Sequence, residues 1–154
     1  LQWKDDNVMA LNNYAYYLSE KGVDLHKAES MSYKTIKAEP NNGTYLDTYA
    51  WILFMEERYA DAKTYIDQAL KNRDSTADNS TVLEHAGDIY YMNGMADESV
   101  DFWKKAYTGE NQTEVLAWKI KNRQYITEEE LKKRNAPKQK PTATKKSVRK
   151  GKKK

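Results

Sequence analysis

The chain has no cysteine among its 154 residues. That excludes a disulfide framework and a thiolate metal site, and it leaves the compartment open. Only two histidines occur, His26 and His85, which leaves little for a metal centre or an imidazole-based catalytic pair. No apolar run approaches the ~20 residues that a membrane-spanning helix needs, and no signal-peptide pattern is present. No motif frames a nucleophile or a phosphate loop, so an enzyme is not expected. The last 23 residues lack acidic side chains altogether: positions 132–154 hold 12 of the 26 Lys and Arg and no Asp or Glu. Residues 1–131 therefore set 14 basic against 23 acidic side chains, a net charge of −9 hidden beneath the overall +3. An acidic body with a basic tail says more about partners than the isoelectric point does.

What the chain has is a repeated helical pattern. In 44–74, Leu46, Tyr49, Ala50 and Leu53 share one helix face. After a break at Glu57–Tyr59, Ala62, Ile66, Ala69 and Leu70 share the face of a second helix. Shifted back by 34, Ala28 matches Ala62, Thr35 matches Ala69, and Pro40 falls at Asp74. Shifted back by 35, Leu11, Tyr14, Ala15 and Leu18 match the first face. Shifted forward by 37, Leu83, Ala86, Gly87 and Tyr90 match it again, and Ser99, Trp103 and Ala106 match Ala62, Ile66 and Ala69. Small side chains at matching positions let paired helix backbones approach closely. The turns fall at Gly22–Leu25, Asn41-Asn42-Gly43, the polar stretch 72–80 and Asn93-Gly94. Asp24 is expected to cap the second helix, Ser80 or Thr81 the helix 82–93, and Thr127 a short helix around Leu131.

A period of ~34 residues with two helices per unit resembles the tetratricopeptide-repeat family. The resemblance spans about 8–112. It departs where Leu or Tyr replaces the family's frequent Trp, where only Gly87 keeps the first-helix glycine, and where only Pro40 keeps the closing proline. The phrases YLDTYAWILF and VLEHAGDIYY look like bacterial members, particularly those of the Bacteroides group. The resemblance implies an all-α, right-handed solenoid of helical hairpins: repeats at 8–42, 43–79 and 80–111, then a capping helix at 112–131. Residues 132–154 are expected to be a disordered basic tail, being too polar to bury a core. Lys4–Asn7 (KDDN) resembles the link that closes a repeat, so 1–7 reads as the end of a truncated one. The chain then reads as the carboxy-terminal part of a longer bacterial protein, with any targeting signal on the missing part.

In such arrays the first helix of each pair lines a concave groove. Carried over, the groove residues are Asn12, Asn13 and Tyr16, then Asp47, Thr48 and Trp51, then Glu84, His85, Asp88 and Tyr91. Trp118, Lys119 and Asn122 extend its floor. Such a groove is acidic and aromatic, and it lacks the paired cations with which some members clamp a peptide carboxylate. The expected role is a non-catalytic scaffold for a protein or peptide, with a basic, aromatic or proline-containing segment favoured. The bland alternative is that the polar groups face water while the aromatics fill space between repeats. Asp47, Glu84, His85 and Asp88 also suggest a metal set, but one histidine is thin and no metal or other cofactor is expected. The tail supports a second function, nucleic-acid or ribosome binding through phosphate contacts. No aromatic residue follows Tyr125, so base stacking by the tail is not expected.

Overall fold

The computed structural model of the chain describes residues 2–74 and 76–137. Eight α-helices and no strand occur among them: α1 (Gln2–Lys21), α2 (Leu25–Ala38), α3 (Gly43–Met55), α4 (Tyr59–Lys71), α5 (Ser80–Met92), α6 (Ala96–Ala106), α7 (Glu114–Asn122) and α8 (Glu128–Asn135). They pack as the hairpins α1/α2, α3/α4 and α5/α6, each stacked on the next.

The matching small positions are where the helices meet. Ala15, Ala50, Ala28, Ala62 and Ser99 are all fully buried, as are Thr35, Ala69 and Ala106. Gly87 is buried too. Helix α3 is the middle element and is covered on every side: Tyr45 to Phe54 are ten consecutive buried residues. That explains why its sequence is apolar almost all round, with no single stripe. The outer second helices instead bury one face each; α4 buries Ala62, Ile66 and Ala69. The main core joins α3 and α4 to Ala86 and Ile89 of α5. A further cluster joins Val100, Trp103 and Ala106 to Leu116 of α7. Helix α7 thus covers the apolar face that the last hairpin leaves exposed, as a solenoid end requires.

Local details differ from expectation in several places. The link expected at Lys4–Asn7 is helical, because α1 runs unbroken from Gln2 to Lys21. Asp24 occupies the N-cap position of α2 but adopts φ 47°, and its side chain makes no cap bond. Neither Ser80 nor Thr81 caps α5: Asn79 is the N-cap residue, and Ser80 is the first helical residue, its N–H donating to Asp78 Oδ1 at 3.0 Å. The capping helix expected over 112–131 is broken in two: α7 stops at Asn122, where Arg123 turns left-handed at φ 54°, and α8 begins at Glu128. Tyr125 therefore lies in the turn before α8. Thr127 does cap α8, in a reciprocal capping box with Glu130. Lys132 to Asn135, placed by the sequence in the disordered tail, complete that helix. Residues 138–154, which hold most of the tail's cations, lie outside the described residues.

Candidate functional site

Helices α1, α3 and α5 lie side by side and present their polar positions to one concave surface. Two cavities open there, of about 590 and 440 Å³. They share Tyr16 and Thr81, so they form one trough.

The larger cavity holds Asn12, Asn13, Tyr16, Asp47 and Thr48 of the expected set. It also holds Asn41–Thr44, Asn72–Asp74 and Asn79 from the loops at its rim. Asn12 is 4% exposed, and its Oδ1 finds no partner among the described residues. Its Nδ2 turns to Asn13 Oδ1 at 3.5 Å.

The smaller cavity holds Tyr16, Trp51, Glu84, His85 and Asp88, with Glu20, Met55, Val115, Lys119 and Tyr125–Glu129. Its buried polar groups His85, Asp88 and Lys119 are each held by a neighbouring side chain. His85 Nδ1 lies 2.9 Å from Asp47 Oδ1. Burial lowers the imidazole pKa, but the Asp47 carboxylate, helped by Asp88 and Glu20, outweighs it and holds the ring above its ordinary value. Trp51 is stacked on His85, with centroids 4.0 Å apart, and on Phe54 at 4.6 Å. Its Nε1 donates to Glu20 at 3.1 Å. Trp51 therefore spans groove and core at once, joining α3 to α5 and α1.

Lys119 of α7 is the one Lys or Arg lining this cavity among the described residues. It is 2% exposed. Its Nζ donates to Asp88 Oδ1 at 2.7 Å and Glu84 Oε2 at 2.9 Å. The Trp103 and Tyr125 rings lie 5.5 and 5.6 Å from it. Burial lowers its pKa, and the two carboxylates more than restore it, so the ammonium is held charged. Asp88 also accepts from Trp103 Nε1 at 3.0 Å.

The remaining expected residues lie elsewhere. Tyr91 lines neither cavity and packs beside Trp103 in the α5–α7 cluster. Trp118 lies under the guanidinium of Arg134, and exposed Asn122 bonds back to the Trp118 carbonyl. The carboxylates considered as a metal set are already committed, Asp47 to His85 and Glu84 with Asp88 to Lys119. A different group, His26, Glu29 and Glu56, brings ligand atoms within 4.8 Å of one another. There the Arg58 guanidinium, 2.9 Å from Glu29 and 3.3 Å from Glu56, already supplies the positive charge.

The sequence reading missed the turn that closes the trough. Ile126 and Leu131, 3% and 4% exposed, stand at the two positions of a hydrophobic staple around the Thr127 cap. That pattern is visible in the order Ile126-Thr127, Glu130-Leu131, and it fixes the turn that carries Tyr125 over Phe54, centroids 5.7 Å apart.

No family model matches the chain. Over 66 residues, 43% of this chain, it is 35% identical to a TPR repeat-containing protein of Pseudomonas aeruginosa. The match spans 11% of that relative's length. Among solved structures, the first TPR of Spaghetti (RPAP3) bound to the HSP90 peptide SRMEEVD superposes with a TM-score of 0.64 and 13% identity, covering 75% of this chain and 89% of that one. The N-terminal domain of the stress-induced protein STI-1 of C. elegans gives 0.58 at 21% identity, covering 77% and 94%. The chain folds as a tetratricopeptide-repeat array. The yeast Sti1 TPR2AB domain, in complex with pHSP90, adds a TM-score of 0.59 at 22% identity over 99% of this chain and 57% of its own. Within the array, α1, α3 and α5 are the first helices of successive tetratricopeptide hairpins, and the trough runs along their shared concave side.

Proposed function

We propose that this array is a non-catalytic protein-interaction module whose trough holds an extended segment of a partner protein. The observation that carries the reading is the trough itself: two adjoining cavities lined by residues of α1, α3 and α5. One structural neighbour is bound to an HSP90 peptide and another is in complex with pHSP90, which supports a peptide as the kind of occupant. The charge here differs from what an acidic peptide needs. Asp47, Asp74 and Asp78 stand against Arg73 in the larger cavity; Glu20, Glu84, Asp88, Glu128 and Glu129 stand against Lys119 in the smaller. Complementary potential favours a basic segment.

The test is selection of a displayed peptide library on the native chain and on Asn13→Arg and Thr81→Arg variants. Both positions are exposed at the trough, so the fold is expected to survive. Peptides enriched on the native chain should be lost from both variants while melting is unchanged. Equal recovery on all three removes the trough from the reading.

A further inference from the structure

We propose that residues 124–135, the turn before α8 together with α8 itself, form a strap that closes one end of the trough, opens as a unit, and competes there with the partner segment. This rests on the trough reading and says what regulates access to it. Three observations carry it. First, the strap is part of the trough wall. Tyr125 to Glu129 line the smaller cavity together with Tyr16, Trp51 and His85 of α1, α3 and α5. Tyr125 stands edge-on to Phe54, and Phe54 is stacked on Trp51. The chain's own ring thus covers the aromatic pair at that end of the trough. Secondly, polar attachment stops at one residue. Arg123 ends α7 in the left-handed conformation, and its guanidinium pairs with Asp97 of α6. One turn earlier, Lys119 is held by Asp88 and Glu84 of α5. Beyond Arg123, no hydrogen bond or ion pair joins residues 124–137 to α1–α7 among the described residues. The polar contacts there are internal: the Thr127–Glu130 capping box and the Glu128–Lys132 pair. Thirdly, the docking contacts are few. They are Ile126 and Leu131, 3% and 4% exposed, the Tyr125 ring, and Arg134 over Trp118. Leu131 is the one buried residue of α8. Neither Ile126 nor Leu131 belongs to the apolar clusters that join α1 to α7.

These contacts separate two kinds of motion. Undocking the strap breaks no hydrogen bond and strands no charge, because the capping box travels with α8. Segments held in this way open locally, ahead of the rest of a fold. Helix α7 does not, since lifting Lys119 leaves Asp88 buried and uncompensated. Arg123 is therefore the corner at which the fixed part ends and the strap begins. Competition follows from the shared wall. A partner segment reaches that end of the trough only while the strap is open, so its apparent affinity falls with the open fraction. A strap closed nine-tenths of the time weakens binding about tenfold.

The experiment uses the full chain, 15N-labelled, and reads amide exchange first. An undocked helix of 8 residues does not hold itself together, so opening is seen as exchange. Amides of Leu131 to Arg134 should exchange together, ahead of those of α7 and α3. Binding is read next, with Leu131→Ser to loosen the strap and Lys133→Ser, exposed on the same helix, as control. A peptide enriched on the native chain by the library selection, synthesised with a fluorescein label, is the probe. It should bind Leu131→Ser about tenfold more tightly than the native chain or Lys133→Ser. Exchange of Leu131 to Arg134 in step with α7 overturns the proposal. So does an affinity unchanged or weakened by Leu131→Ser, since the turn is then a fixed wall. If Leu131→Ser melts the whole array, Thr127→Ala loosens the same strap through its cap, and the same outcomes decide. The selection is also run on Leu131→Ser: peptides recovered only there support the strap. None on either chain removes the module reading, and the competition with it. A peptide that binds a chain whose strap does not open separately removes the strap alone.

Discussion

Gly87→Ala is the most informative single substitution in the array. Gly87 matches Ala50 by repeat position, and Trp103 matches Ile66. The large residue in the third hairpin is thus paired with the smallest possible partner. A Cβ built on Gly87 lies 2.3 Å from Trp103 Cδ1, 2.4 Å from its Nε1 and 3.0 Å from the Ser99 carbonyl oxygen. Ordinary carbon contacts are about 3.5–4.0 Å, so the indole has to retreat by about 1 Å. Trp103 is fully buried and its Nε1 is tied to Asp88 at 3.0 Å, so it has nowhere to go without breaking that bond. Overpacking costs roughly 1–3 kcal/mol. The lost bond to a charged acceptor costs about 1.5–3 kcal/mol. Alanine returns ~1 kcal/mol of helix propensity. The net loss is about 1.5–5 kcal/mol, or roughly 5–15 °C in melting temperature for a chain of this size. Thermal and urea unfolding followed by circular dichroism read it directly. The control is Trp103→Ile, which recreates the second hairpin's combination: in that background Gly87→Ala should cost nothing or stabilise. A Gly87→Ala protein that melts at or above the native temperature refutes the packing argument. So does an equal alanine cost in both backgrounds.

Other outcomes follow from the same contacts. The His85 pKa is raised above its ordinary 6.5 chiefly by Asp47 working against burial. Its ion-pair contribution is therefore complete below pH 6.5 and is lost as pH rises through the folded value. Urea midpoints between pH 5.5 and 9 should fall with rising pH in the native chain, and Asp47→Asn should flatten that slope. Thr127→Ala removes the arm of the α8 capping box in which the Glu130 N–H donates to Thr127 Oγ1, keeps the one in which the backbone N–H of residue 127 donates to Glu130, and should cost ~1 kcal/mol. Amide exchange should show this as faster opening of α8 with α3 to α6 unchanged. Arg58→Met breaks contacts to Glu29, Glu56 and Asp61. Its guanidinium is nearly half exposed, so urea unfolding should show a loss of less than about 1 kcal/mol.

The parts of the fold that were legible from sequence are those governed by period and size. Ala28, Ala62 and Ser99 announced themselves by spacing, because close helix approach tolerates only small side chains there. Gly87 and Trp103 were legible singly but not as a pair, since compensation of volumes across a helix contact has no period. Cap chemistry was legible at Thr127, where two side chains reciprocate. It was not legible at Ser80, because the helix begins one residue earlier, with the Leu83 N–H on the Asn79 carbonyl and Asp78 Oδ1 accepting from the Ser80 N–H. Candidate trough residues could be placed on a helix face, but what they bind within the chain could not. The stacking of Trp51 on His85 and the ion pairs of Lys119 arise between positions 31 or more apart in sequence. Tyr91 shows the limit of the face argument: one step along α5 carries it from the trough to the core behind.

Helix α7 solves two problems at the open end of the solenoid, and Lys119 separates them. Its Leu116, fully buried, covers the apolar face of the third hairpin beside Val100, Trp103 and Ala106. Its Lys119 meets Asp88, a carboxylate 4% exposed that would otherwise be buried against a single indole N–H. Lys119→Met keeps the aliphatic length and removes only the ammonium. Deleting one member of a buried pair costs about 3–5 kcal/mol, because the other charge is left without compensation. Asp88→Asn on that background removes the stranded charge and keeps the acceptor for Trp103, so it should recover most of the loss. Recovery would mean that the pair serves charge balance at the trough end, with Leu116 sufficient to hold the cap. A Lys119→Met chain as stable as the native one would show that Asp88 is protonated there without help. In that case the acidic end of the trough carries less charge than the count of its carboxylates implies.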